Sequence, residues 1–119
     1  YDTFAWTGTL KRIVIDPETK TSKVTDLPAV DAEGNVYYTE FPRVRDDRSG
    51  RDYCFVYVTA FYAGNSTWFQ DSAIVKVDVC KAAAVAADPH STSTATATAW
   101  GKPGHFPGEP IFVARPNSS

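Results

Sequence analysis

The longest run of large alternating side chains lies at residues 51–63, and it constrains the fold more than any other segment. Neighbouring side chains of a β-strand point to opposite faces, and here both faces are mainly apolar. One face would hold Tyr53, Phe55, Tyr57, Thr59 and Phe61, and the other Cys54, Val56, Val58, Ala60 and Tyr62. Such a strand is expected inside a sheet that is covered on both sides.

A hairpin is predicted before this strand. The β-branched run Leu10–Asp16 has strand character, and residues 21–27 return as a polar, edge-like strand. Between them, residues 16–19 read Asp-Pro-Glu-Thr, a typical turn in which proline presets φ at the second position. The two strands should therefore pair as neighbours.

Three more strands complete the prediction. Residues 36–40 form one, which Pro42 should end because proline has no N–H. After a turn at Gly64-Asn65, residues 67–80 form the returning strand, with one apolar face and one solvent-exposed face. Residues 111–113 read as a short buried strand. Without a strong helix, the pattern predicts an all-β antiparallel fold, either a sandwich or part of a propeller.

The region at residues 82–99 differs in composition from the rest of the chain. It is rich in alanine, serine and threonine, with Asp88-Pro89-His90 near its middle. The alanines at 82–87 would support one or two helical turns, but no periodic apolar face follows His90. We expect a flexible loop insertion here.

Charge and composition exclude some classes of function. The formal net charge is −2, and the twelve basic residues are dispersed, which argues against nucleic-acid binding. No apolar run approaches the roughly 18 residues that a spanning helix needs. There is no methionine, and the chain starts at Tyr1, so a cut-out or processed piece of a longer protein is expected.

Two cysteines, Cys54 and Cys80, fall within predicted strands. Buried free thiols are favoured over a disulfide, because the sequence does not show that their Cα atoms lie within bridging distance. Asn65-Ser66-Thr67 forms a glycosylation sequon, which matters only in a secreted protein. The cellular compartment stays open on these grounds.

Residues 104–116 (GHFPGEPIFVARP) place one carboxylate, Glu109, among two glycines and two prolines. Such residues allow unusual backbone dihedrals and then lock them, which suits holding a side chain still. The alternative is a tight turn with a solvated glutamate. Elsewhere, the acidic pair Asp46-Asp47 is flanked by arginines and is expected to be a neutralised surface cluster.

The segment at 104–116 resembles a signature of the carotenoid cleavage oxygenases, non-haem iron proteins that cut carotenoids, apocarotenoids and stilbenes at a double bond. Residues 40–43 (Glu-Phe-Pro-Arg), 51–63 and 72–78 occur in the order and rough spacing of that family, with a departure at 82–99. The resemblance implies a seven-bladed β-propeller. Residues 1–119 would then be a partial domain of about one to two blades, with the loop insertion at about 82–99.

By this resemblance the chain is part of an iron(II)-dependent dioxygenase that uses O2 to cleave a carbon–carbon double bond of a carotenoid or apocarotenoid. Some family members instead isomerise retinoids or hydrolyse their esters. The four histidine ligands of Fe(II) are expected outside this chain, since neither His90 nor His105 matches one. The chain alone should hold no metal and be inactive.

The resemblance assigns one residue a role near the metal. Glu109 would accept a hydrogen bond from the ring N–H of an iron-bound histidine, which fixes the orientation of that ring. Analogy favours a plastid, with the cytoplasm second, and leaves room for membrane contact through parts outside this chain. The alternative function is a non-catalytic propeller or sandwich module that binds protein or glycan, to which the sequon and the aromatic strand would be relevant.

Overall fold

The structure is a computed structural model that describes residues 8–62, 72–88, 90, 95–102 and 104–116. Within these residues the chain forms one two-stranded and one five-stranded sheet, both antiparallel. The strands are β1 (Leu10–Asp16), β2 (Thr21–Leu27), β3 (Ala29–Val30), β4 (Val36–Arg43), β5 (Phe55–Tyr62), β6 (Ser72–Asp78) and β7 (Ala97–Trp100). One helix, α1 (Val79–Ala87), and a short 3-10 turn at Asp46–Arg48 accompany them.

The first sheet is the predicted hairpin, which the structure confirms. Its register runs from Leu10 opposite Leu27 to Asp16 opposite Thr21. The Asp16 carboxylate accepts the N–H groups of Glu18 and Thr19, at 2.9 and 3.3 Å. A hydrogen bond from the Thr19 side chain, followed by these backbone bonds, lowers the pKa of Asp16 from its usual value. The turn is therefore held by local side-chain bonding.

The second sheet is a meander, in which each strand pairs with its neighbour along the chain, from β3 to β7. Consecutive antiparallel strands of this kind make up the blades of a propeller. The predicted fold class is confirmed: the chain is all-β and antiparallel, as part of a propeller-like fold, with few helical residues.

The core lies on the face of β5 that the even-numbered residues form. Val58 and Ala60 are fully buried there, and they pack with Val75 and Val77 of β6. Lys76, on the opposite face of β6, is exposed, which confirms the predicted solvent-exposed face. This alternation follows from the two-residue period of a strand.

Thr96 brings the two ends of the five-stranded sheet together. Its N–H donates to the Val30 carbonyl at 2.7 Å, and its hydroxyl accepts the Val30 N–H at 3.0 Å. The same hydroxyl donates to the Pro28 carbonyl, and the Asp78 N–H donates to the Thr96 carbonyl at 2.8 Å. Because Thr96 bonds to both β3 and β6, the sheet is nearly closed.

The structure corrects the expectation of a loop at residues 82–99. Helix α1 covers the first part and β7 the last, and only the residues between them lack regular structure among those described. Asp78 caps the helix by accepting the Lys81 N–H at 2.9 Å, and Ala82 is fully buried. Alanine favours the helix intrinsically, and its small side chain permits close packing against the sheet.

The structure also corrects the prediction of free, buried cysteines. Cys54 and Cys80 form a disulfide with a Cα–Cα distance of 5.0 Å, and both residues are exposed. Cys54 precedes β5, and Cys80 lies in the first turn of α1 rather than in a strand. The pairing of Phe55 with Asp78 brings these two element ends together, and the Val79 N–H bonds to the Cys54 carbonyl at 2.8 Å.

Strand β4 runs past the position at which Pro42 was expected to end it. The register is irregular between Glu40 and Arg43, and it resumes where Arg43 lies opposite Tyr57. Phe41 has a φ of 50°, an uncommon value for a large residue, as occurs at a β-bulge. The bulge accommodates the proline, so the prediction was wrong about the end of this strand.

Two predicted features, the turn at Gly64-Asn65 and the sequon that begins at Asn65, lie outside the described residues. Within the described part of the chain, no helix has both the length and the apolar character to cross a membrane.

Candidate functional site

The segment at residues 104–116 crosses the face of β5 opposite the core. The Thr59 hydroxyl donates to the Gly108 carbonyl at 2.9 Å, although Thr59 lies 49 residues earlier in the chain. The ring of Phe112 lies 6.5 Å from that of Tyr57, at a tilt of 44°. Contacts from β5 therefore fix the segment at two points, one on each side of Glu109.

No strand forms at residues 111–113, so the prediction of a short buried strand was wrong. Ile111 and Val113 are 80% and 82% exposed. The reason is topological: both edges of β5 are already paired, to β4 and β6, and a segment lying on its face finds no backbone partners there. Pro107 and Pro110 also lack N–H donors.

Glu109 contacts the irregular part of β4. Its Oε1 lies 2.6 Å from Nε of Arg43, and the two side chains are 49% and 50% exposed. Oε2 makes no hydrogen bond with any described residue. The bulge that precedes Arg43 and the hydrogen bond to Gly108 thus hold the carboxylate over the sheet with one oxygen available to a further donor.

The glycines around Glu109 differ in what they require. Gly104 has a φ of +76°, a conformation that other residues rarely adopt, so the expected unusual backbone is present there. Gly108 has no positive φ, and an added Cβ would meet nothing within 4 Å. The backbone at Gly108 is held by its carbonyl bond rather than by a need for glycine.

Within the surface cluster predicted at Asp46-Asp47 and its flanking arginines, the structure shows an ion pair between Arg45 and Asp47. Arg45 donates to both carboxylate oxygens of Asp47, at 2.8 and 2.7 Å, and its guanidinium lies 4.9 Å from the centre of the Phe112 ring. This hydrogen bonding lowers the pKa of Asp47 and raises that of Arg45. Asp47 is therefore an ionised partner of an arginine, not a general acid.

In the described part of the chain, neither histidine belongs to a cluster of potential metal ligands. His90 and His105 are both exposed, and no group of three or more His, Cys, Asp or Glu residues among those described could hold a metal ion. The described residues thus do not fit an iron centre by themselves. The role of Glu109 beside an iron-bound histidine stays a prediction.

Sequence reasoning missed the two residues that position Glu109. Arg43 closes the Glu-Phe-Pro-Arg segment, and Thr59 is the one non-aromatic residue on its face of β5. A polar group in an otherwise apolar strand is a usable signal, because a buried hydroxyl must find a partner. Thr59 is 4% exposed, and its partner is the Gly108 carbonyl.

Comparison with protein families shows which family the chain is similar to. The model of the family described as retinal pigment epithelial membrane protein matches residues 2–119. No curated protein and no solved structure matches the chain.

Proposed function

The chain belongs to the retinal pigment epithelial membrane protein family, which comprises carotenoid cleavage oxygenases and retinoid isomerases, and on that premise we propose that the protein is an iron(II)-dependent dioxygenase. Its substrates would be O2 and a carotenoid or apocarotenoid. One carbon–carbon double bond is broken, and each carbon receives one oxygen atom of O2, which gives two carbonyl products. The family match over residues 2–119 carries this proposal.

Glu109 is the residue of this chain that we assign to the iron centre. An iron-bound histidine would come from a part of the protein outside the described residues and donate its free ring N–H to the carboxylate. Such a bond fixes the ring orientation and makes the coordinating nitrogen more basic. Two observations support the assignment: Arg43 occupies only Oε1, and the Thr59–Gly108 bond anchors the adjacent backbone.

The ion pair with Arg43 supplies little stability, because both side chains are about half exposed to water. The ion pair would instead serve to orient the Glu109 carboxylate. Pairing of one oxygen with Arg43 of β4 would limit the rotation of the carboxylate and leave the second oxygen for a donor. The proposed role thus accounts for Oε2 of Glu109, which accepts no hydrogen bond from a described residue.

The test replaces Glu109 in the full-length protein. Glu109→Gln preserves size but weakens the acceptor, and we expect iron content or carotenoid cleavage to fall by about 10- to 100-fold. Iron is measured by elemental analysis and products by chromatography with mass spectrometry. Glu18→Gln, the same change on the β1–β2 turn, is the matched control.

The outcomes separate the parts of the proposal. Normal iron content and normal turnover in Glu109→Gln would refute the role of this residue. A wild-type protein that isomerises or hydrolyses a retinoid without cleaving a double bond would refute the dioxygenase activity. An unchanged melting temperature in Glu109→Gln shows that any loss arises at the iron centre and not from unfolding.

The alternative of a non-catalytic module that binds protein or glycan stays a prediction: the aromatic strand β5 is present, and the sequon lies outside the described residues. Location in a plastid is part of our proposal by analogy with carotenoid-cleaving enzymes. Fractionation of the source cells, with detection of the protein in each compartment, tests it.

A further inference from the structure

A cleft of about 730 Å³ opens between β1 and the chain around the start of β5. The residues that line it come from β1, the end of β2, residues 45–57 and the start of α1. It does not include Glu109, Arg43 or Thr59. The cleft is therefore separate from the carboxylate that we assign to the iron centre, although Tyr57 and Arg45 border both.

The lining of the cleft is strongly basic. Five cationic side chains contribute to it: Lys11, Arg12, Arg45, Arg48 and Arg51. Among the described residues of the lining, Asp52 alone carries a carboxylate. Because the whole chain has a formal charge of −2, the positive charge is a local feature of this cleft.

Two of the cations are already neutralised. Lys11 forms a salt bridge with Asp26, and Arg45 forms one with Asp47. The remaining three belong to the arginines at positions 12, 48 and 51. Among the described residues, none of these three side chains makes a hydrogen bond or a salt bridge. Arg48 interacts electrostatically with the Asp47 carboxylate, so Arg12 and Arg51 are the two guanidinium groups least compensated by described residues. A concave surface that carries them has a positive potential that attracts anions.

Aromatic side chains supply the second property of the cleft. Tyr53 and Phe55 line it and are 45% and 44% exposed, although large aromatic residues usually lose most of their exposure on folding. Tyr57 extends the same row along β5. The Cys54–Cys80 disulfide forms part of the wall and ties the start of β5 to α1. The aromatic surface is thus held in place by a covalent link.

We propose that this cleft binds a small ligand that joins an anionic oxygen group to a planar apolar body. Arginine pairs with carboxylate or phosphate through two parallel hydrogen bonds, and its planar group tolerates a neighbouring ring. The exposed rings of Tyr53 and Phe55 would contact the apolar body. A volume of about 730 Å³ lies within the range of small-molecule sites. This binding requires neither iron nor Glu109.

Four compounds test the proposal by calorimetry on the full-length protein. 2-Naphthoate and 2-naphthyl phosphate carry both features, 2-naphthamide lacks the charge, and inorganic phosphate lacks the ring. We expect at least one naphthyl anion to bind about tenfold more tightly than either partial compound, and more weakly as salt increases. The tighter of the two anions identifies the preferred group. Equal affinity for 2-naphthamide and both anions would overturn the proposal.

Substitutions then locate the site. Arg12→Gln and Arg51→Gln should each weaken binding of the tighter anion by about threefold to fivefold, as expected for exposed charge pairs. Lys23→Gln, which removes an exposed cation of β2 outside the cleft, should leave the affinity unchanged. If the arginine variants bind as well as the wild type, or if Lys23→Gln is equally weakened, the anion does not bind in this cleft.

Discussion

Thr96 gives the sharpest test of how the five-stranded sheet is held together. The residue is 2% exposed, and its hydroxyl both donates to the Pro28 carbonyl and accepts the Val30 N–H. Thr96→Val replaces that hydroxyl with a methyl group of similar size. The change removes both hydrogen bonds but leaves the packing volume almost unchanged.

The expected loss follows from these two bonds. Each contributes about 1 kcal/mol net, and the Val30 N–H, left without a partner where water has little access, adds a further cost of about 1 kcal/mol or more. The added methyl group offsets part of this through burial, by about 0.8 kcal/mol. We therefore expect Thr96→Val to lower the free energy of unfolding by about 2–3 kcal/mol.

Thr96→Ser provides the matched comparison, because it keeps the hydroxyl and loses only the methyl group. Its expected cost is about 1 kcal/mol. Urea unfolding of the full-length variants, followed by far-UV circular dichroism, measures both values. If Thr96→Val is as stable as Thr96→Ser or more stable, the hydroxyl does not hold β3 to β7, and our account of the sheet closure is wrong.

Two further predictions concern the disulfide and Asp31. Replacing Cys54 and Cys80 together by alanine should cost about 3.5 kcal/mol, because the bridge closes a loop with a sequence separation of 26. Urea unfolding with and without reductant checks this, and a wild type that is insensitive to reductant would contradict it. For Asp31, burial raises the pKa, but hydrogen bonds from Asn35, Tyr37 and the Glu33 N–H outweigh it, and the pKa lies below its usual 3.8. The stability that this lowered pKa provides is present above about pH 4 and is lost as the pH falls through the folded-state pKa. The melting temperature of Asp31→Asn should therefore depend less on pH below 4 than that of the wild type. Parallel curves of melting temperature against pH for the two proteins would contradict this.

The β1–β2 hairpin and the buried face of β6 were the parts of the fold that could be predicted well from the sequence. The hairpin of β1 and β2 has the predicted bounds, since its turn is set by neighbouring residues such as Asp16. The alternation of β6 identified its buried face because a period of two is a local property. The end of β4 was less accurate, because a bulge at Phe41 depends on the partner strand.

The candidate site was predicted only in part. The sequence singled out Glu109 and the glycines and prolines around it. The resemblance of this segment to a family signature indicated the family, which the family match confirms. It did not identify Arg43 or Thr59 as the groups that contact this segment. Their distance along the chain, 49 residues from Thr59 to Gly108, left no local pattern by which to pair them.

The sequence alone determined the bounds of the β1–β2 hairpin, the faces to which the side chains of β5 and β6 turn, and the family of the chain. The tertiary structure decided that Cys54 meets Cys80, that Thr96 joins the ends of the sheet, and that residues 111–113 lie on a face instead of forming a strand. Periodicity and turn chemistry act over a few residues, so one short segment of the sequence is enough to recognise them. Disulfides, closure and face contacts depend on strand order and register, which bring distant residues together only once the sheet has formed.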